Sequence, residues 1–155
     1  MFYCNRAVDR PVREVLAPDE VLWRGPRCSV CLSTLAPHVF GTVYSGYIDS
    51  PTTSASLTDL ERLFGDAPRI TVFSDSTGVI GYDTSARLKA ADWMIKMSER
   101  FAACHVLESS RMVAMGLAVM NMAVGGTMLA HSTRESFDEA QRALGVKLRR
   151  HRAEG

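Results

Sequence analysis

Taken by its apolar positions alone, the chain divides into short runs of strand character and stretches of helical spacing. From Val21 onward, "VLW", "CSVCLSTL" and "VFGTVYSGYI" are rich in valine, threonine and tyrosine, and the turn residues Ala36, Pro37 and His38 separate the last two. This composition predicts an antiparallel hairpin. After the polar linker "DSPTTSA", the segment "SLTDLERLF" puts Leu57, Leu60, Leu63 and Phe64 on one helical face. The Ser56 to Asp59 spacing resembles a capping box, and Gly65 and Pro68 close that helix. "RITVF", "CHVLE" and "TMLAH" are short apolar runs suited to buried strands.

The clearest helical pattern begins near Ala86. Ala90, Trp93, Met94, Met97 and Phe101 form an apolar stripe, and Lys89, Asp92, Lys96 and Glu99 form a solvent stripe. "SRMVAMGLAVMNMAVGG" is apolar on every side, which predicts a helix buried between a sheet and other elements, its methionines 112, 115, 120 and 122 filling core in preference to forming an adaptable binding surface. A last helix follows Ser132, spaced from Glu135 as a capping box, with Phe137, Ala140 and Leu144 on one face and Gly145 at its end.

Residues 1–20, with Pro11 and Pro18, are patterned weakly and predict an arm with at most one helical turn. Residues 146–155 are a basic segment expected to fray. One domain over 21–145 remains, in the order hairpin, helix, strand, helix, strand, helix, strand, helix. That alternation predicts an α/β fold with right-handed crossovers, a mostly parallel mixed sheet, an antiparallel hairpin at its edge and about four helices.

Composition narrows the function classes. With 155 residues, 46% hydrophobic and 23% charged, the chain suits a single globular domain, and its net charge of +1 argues against nucleic acid as a partner. The first twenty residues lack an apolar stretch of secretory length. The longest uncharged apolar run, Met112 to Val124, has thirteen positions, against roughly 20 for a bilayer span. A cytoplasmic protein without a membrane span is expected.

Four cysteines in that setting predict free thiols. Cys28 and Cys31 form a "CSVC" motif on a predicted strand, where residues three apart face opposite ways and lie roughly 10 Å apart, beyond disulfide reach. Both are expected to serve packing. Adjacent Cys104 and His105 likewise face apart, His38, His105 and His131 lack metal spacing, and "GTVYSG" lacks the lysine of a P-loop. No enzyme signature, metal or cofactor is predicted.

The strings "GYDTSAR", "CHVLESSRMVAMGLAV" and "VGGTMLAHSTRESFDEA", together with the order of elements from Val21 to Gly145, resemble the STAS or SpoIIAA-like group of small α/β domains, which includes anti-sigma-factor antagonists. The resemblance implies a regulatory protein-interaction module. In antagonists of that family, a serine at the start of the helix after the third strand is phosphorylated by a partner kinase. Carried onto "GYDTSAR", the role falls to Thr84 or Ser85, although the family's Asp-Ser-Ser-Gly pattern is replaced by a longer connector.

Three strand-to-helix junctions, "DTSAR", "SSR" and "STR", place hydroxyls and then an arginine at a helix start. Ser109, Ser110 and Thr133 suit N-capping. Arg87, Arg111 and Arg134 face the positive end of a helix dipole, an unfavourable placement. Two explanations follow. Asp75, Asp83, Glu108 and Glu135 neutralise the arginines locally, or the three converge at the carboxyl ends of parallel strands on a small anion such as a phosphate, with Arg111 foremost. A protein partner and an anionic ligand are thus the two candidates, and the oligomeric state is open.

Overall fold

The chain from Val39 onward alternates strand with helix, and the computed structural model, which describes residues 10–149 apart from the Met112 side chain, shows what that alternation builds. Its strands are β1 (Val12–Ala17), β2 (Glu20–Arg24), β3 (Cys28–Ala36), β4 (Val39–Ile48), β5 (Ile70–Tyr82), β6 (Phe101–Leu107) and β7 (Met128–His131). Its helices are α1 (Ser50–Phe64), α2 (Thr84–Met97), α3 (Arg111–Ala123) and α4 (Arg134–Ala143), with a short 3₁₀ turn at Ser98–Arg100. All seven strands form one sheet whose spatial order follows the chain. The pairs from β1 to β4 are antiparallel and those from β4 to β7 parallel.

Three right-handed crossovers in one direction put α1, α2 and α3 on the same face of the sheet. There Leu60, Phe64, Met94 and Met97 pack on Val30, Leu32, Phe40, Val72 and Val106. α4 follows the last strand and covers the opposite face, where Phe137 packs with Phe73 and Leu107. β4 joins the antiparallel and parallel halves, and the buried Thr42 hydroxyl donates to the Ser74 hydroxyl of β5 at 2.8 Å.

Five boundaries differ from those expected. α2 ends at Met97 and the 3₁₀ turn follows, so Glu99 lies beyond the helix and Phe101 opens β6 and does not close the α2 stripe. The arm carries β1 where a helical turn was anticipated; residues 1–9 lie outside the described residues. Of the expected tail, Val146 and Leu148 are buried with the α4 cluster, and the Leu148 amide donates to Gln141 Oε1 at 2.7 Å; residues 150–155 lie outside the described residues. α1 starts at Ser50, so the supposed linker is its first two turns. Asp49 caps it through Thr52 N at 2.8 Å and Pro51 occupies the first turn, which makes Ser56 and Asp59 mid-helix residues and not a cap. α4 is capped by Thr133, with Ser132 one residue outside.

The largest difference is β5. Expected to stop near Phe73, it runs on to Tyr82, pairing Gly78–Tyr82 with Ser45–Ile48 as a ribbon beyond the end of β6, with β3 still alongside Ser45 and Gly46. Glycines make the ribbon possible. Gly46 sits at φ 87°, where a Cβ would collide with the Arg27 carbonyl, and a Cβ on Gly81 would press on the Tyr47 ring at 2.9 Å.

The mid-helix Asp59 fastens α1 to the antiparallel edge. Its carboxylate, 2% exposed, accepts from Arg13 Nε of β1 at 2.8 Å, Trp23 Nε1 of β2 at 2.9 Å and Arg62 at 3.2 Å. Burial pushes the Asp59 carboxyl up, but the Arg13 and Trp23 hydrogen bonds with the Arg13 and Arg62 charges outweigh it and hold it below the usual range. Asp59→Ala should therefore cost about 2 kcal/mol, the scale of hydrogen bonds to a charged group. In thermal unfolding that is about 4–8 °C for a chain of this size, and Asp59→Asn should lose less. The wild-type advantage should shrink as pH falls through the lowered value, since the stabilising form is the carboxylate.

Candidate functional site

α3 has no charged residue after Arg111. Ser110 caps it through Val113 N at 3.3 Å, and Gly125 and Gly126 at positive φ follow its end. Its inner side packs Leu117 and Met120 on the core. Its outer side faces water, with Met115 and Val119 each 70% exposed and Met122 87% exposed. The expectation of a helix buried all round is thus corrected, and with it the placing of Met115 and Met122 in the core; Met120 does pack there, and the Met112 side chain lies outside the described residues. The sheet covers one side, and among the described residues no element follows α3 on that face to cover the other.

Between α3 and the α1–α2 pair lies an open cleft of about 180 Å³, lined by Tyr44, Leu57, Ala90, Val113, Leu117 and Met120 among others. An adjoining chamber of about 150 Å³ continues toward Trp93 and Met94. Gly116 lines the cleft beside the Tyr82 hydroxyl, which stands 3.5 Å from where a Cβ would be, an ordinary contact distance. Burial raises the Tyr44 hydroxyl to about 12 and the Cys104 thiol to about 12, so both stay protonated and neutral.

The junction residues divide between the two faces. Thr84 and Ser85 are exposed at the start of α2, after Asp83, whose side chain makes no capping bond. Arg87, also exposed, lines the cleft. On the opposite face Asp75, 2% exposed, accepts from Thr77 N at 3.0 Å, Thr77 Oγ1 at 2.7 Å and Arg134 at 3.2 Å. Ser109 Oγ donates to the Thr77 carbonyl at 3.4 Å, and Thr133 caps α4 through Ser136 N at 3.3 Å. Arg111 is exposed where α3 begins.

Asp75, Ser109 and Arg134 are therefore brought together, and the three arginines are not. The sheet stands between Arg87 and Arg134, and Arg134 is occupied by Asp75. Cys28 and Cys31 point to opposite faces of β3, toward Asp49 Oδ2 at 3.5 Å and Glu20 Oε1 at 3.4 Å. Burial and the Glu20 hydrogen bond raise the Cys31 thiol to about 12, far from a reactive thiolate.

Among solved structures, this architecture is shared by an uncharacterised protein of the DUF3478 family with a SpoIIAA-like fold from Shewanella loihica PV-4. The TM-score is 0.60 at 11% identity, over 82% of this chain and 98% of that one. The fold is SpoIIAA-like. An anti-sigma factor antagonist from Mycobacterium paratuberculosis also matches, with a TM-score of 0.52 and 17% identity over 83% of this chain and 99% of that one. No family model and no curated protein sequence matches the chain.

Within this SpoIIAA-like fold, sequence reasoning missed the cleft and ranked core filling above an exposed methionine face on α3. The signal for the face was present: a helix without charges needs cover on two sides, and three crossovers in one direction supply it on one. Also missed was a chain of side chains beneath α4. His105 Nδ1 lies 2.9 Å from His131 Nε2, and His131 Nδ1 lies 2.6 Å from Ser136 Oγ. Phe73 stacks on His105 at 4.7 Å between centroids.

Two neutral rings satisfy this chain, one donating and one accepting at the shared contact; two imidazolium rings would oppose N–H to N–H. Burial lowers both histidines below their ordinary value, and for His105 the neighbouring His131 adds to it. Stability from the neutral forms is complete above the unfolded histidine value of about 6.5 and is lost as pH falls below it toward the lowered values. The unfolding midpoint should drop between about pH 7.5 and about pH 5, and His131→Gln should flatten that drop. Parallel wild-type and variant slopes would sink this assignment.

Proposed function

We propose that this protein is a non-enzymatic regulatory module, acting in the cytoplasm, that binds a partner protein through the outer face of α3 and the adjoining start of α2. Phosphorylation of Thr84 or Ser85 by a kinase-type regulator switches the binding. The observation that carries the reading is the stripe Met115, Val119 and Met122. Apolar surface presented on one uncharged helix marks an interaction site, and methionine adapts to a partner's contours. The shared fold with a protein named as an anti-sigma factor antagonist supports the same reading.

Thr84 and Ser85 stand where a modification would act on that face, because the first turn of α2 borders the cleft that α3 closes. A phosphate adds about −1.5 to −2 charges and would meet backbone N–H groups that the Asp83 side chain leaves free. On Thr84 it would also share a helix face with Arg87, three residues on.

Affinity capture from the native cell tests this. Val119→Glu with Met122→Glu should lose the partner that wild type retains, and Thr84→Asp or Ser85→Asp should change its affinity by about tenfold or more, about 1.4 kcal/mol. Identical partners for all forms, with no phosphopeptide containing Thr84 or Ser85, would rule the reading out.

A further inference from the structure

We infer that the cleft between α3 and the α1–α2 pair is a binding site for a fatty acid of medium chain length, its carboxylate held by Arg87 and its tail covered by α3. The inference stands apart from the partner reading and rests on the cleft itself. Protein interiors are close-packed, and voids of about 150 Å³ with aliphatic walls stay dry and take up apolar molecules. Here two adjoining chambers of about 180 and 150 Å³ run from the open side inward to Trp93 and Met94. They share Tyr44, Leu57, Ser76, Ala90, Leu117 and Met120, so an elongated guest would occupy both.

The walls specify an alkyl chain. Two of the hydroxyls there are already turned to the backbone of α1, Thr53 Oγ1 donating to the Asp49 carbonyl at 2.8 Å and Ser56 Oγ to that of Thr53 at 3.2 Å. Such a lining offers little to a sugar or a base, which need polar groups converging on them. The head group is specified by charge. Among the described residues, no acidic side chain lines either chamber, and Arg87 is the only charged one that does. Arg87 is exposed at the rim and is in no ion pair with a described residue, so its guanidinium fork is open to a carboxylate.

The cover is specified by small residues. Gly116 lines the cleft with no side chain to fill it, and Ala114 and Ala118 flank a further space of about 210 Å³ beneath the helix on the β7 side. α3 therefore rests on the sheet chiefly through Leu117 and Met120 and leaves room for a chain alongside them.

Titration of the full chain with decanoate below its micelle concentration, followed by tryptophan fluorescence because Trp93 lines the inner chamber, tests the inference. Wild type should bind one equivalent saturably and gain thermal stability. Arg87→Gln should weaken decanoate by about tenfold or more while leaving decanol unaffected. Gly116→Leu, which favours the helix as it fills the cleft, should abolish binding of both; Ala90→Leu provides the same block from α2 if that variant does not fold. Absence of saturable binding, or equal decanoate affinity in wild type and Arg87→Gln, would overturn the inference. So would binding that survives Gly116→Leu and disappears in Met115→Ser with Val119→Ser, which would place the ligand on the outer face of α3.

Discussion

Handedness of the strand–helix–strand connections is the constraint on which the rest of this structure depends. Because β4, β5, β6 and β7 succeed one another in one direction, each right-handed crossover delivers its helix to the same side. α1 and α2 support each other there, and α3 comes last, with a neighbour on one flank only. Its uncovered outer side and the space between it and α2 are two results of the same topology. The sheet order never reverses, so there is no crevice of the kind that gathers the ends of several strands around one ligand. Arg87 and Arg134, alike in sequence context, consequently end on opposite sides of the sheet.

Two buried carboxylates bind this layered arrangement across long stretches of chain. Asp59 reaches Arg13 across 46 positions, joining helix layer to sheet edge, and Asp75 reaches Arg134 across 59, joining β5 to the helix on the other face. Each is almost fully withdrawn from water and meets a partly exposed arginine, an arrangement in which loss of one partner strands a charge.

What could be read from residues alone follows from the range of the forces involved. The strands β2 to β4, the later part of β6, β7 and the face of α2 as far as Met97 were legible because β-branched runs and 3.6-residue spacing are local signals. The start of α1 was not, because Thr52, Thr53 and Ser56 favour turns in isolation and become helical through the Asp49 cap and burial against the sheet. The second half of β5 resembled a loop for a similar reason. Its glycines and hydroxyls have little strand preference, and pairing with β4 overrides it. Of the candidate site, the exposed hydroxyls Thr84 and Ser85 and the cap Ser110 were legible, while the cleft, the histidine pair and the Asp75–Arg134 contact depend on packing between elements distant in the chain.

The Thr42 to Ser74 hydrogen bond has a consequence for uniqueness. β4 is paired on both sides, antiparallel with β3 and parallel with β5, and most of its residues are drawn from a vocabulary that either face tolerates. A slip of one residue would turn Phe40, Thr42 and Tyr44 from the helical side to the other. It would also part the two hydroxyls across the sheet and leave each buried without its partner, a cost that oily side chains alone could not impose. This small polar contact thus acts as a key that admits one alignment of the two halves of the sheet, and with it one position for every helix threaded after β4.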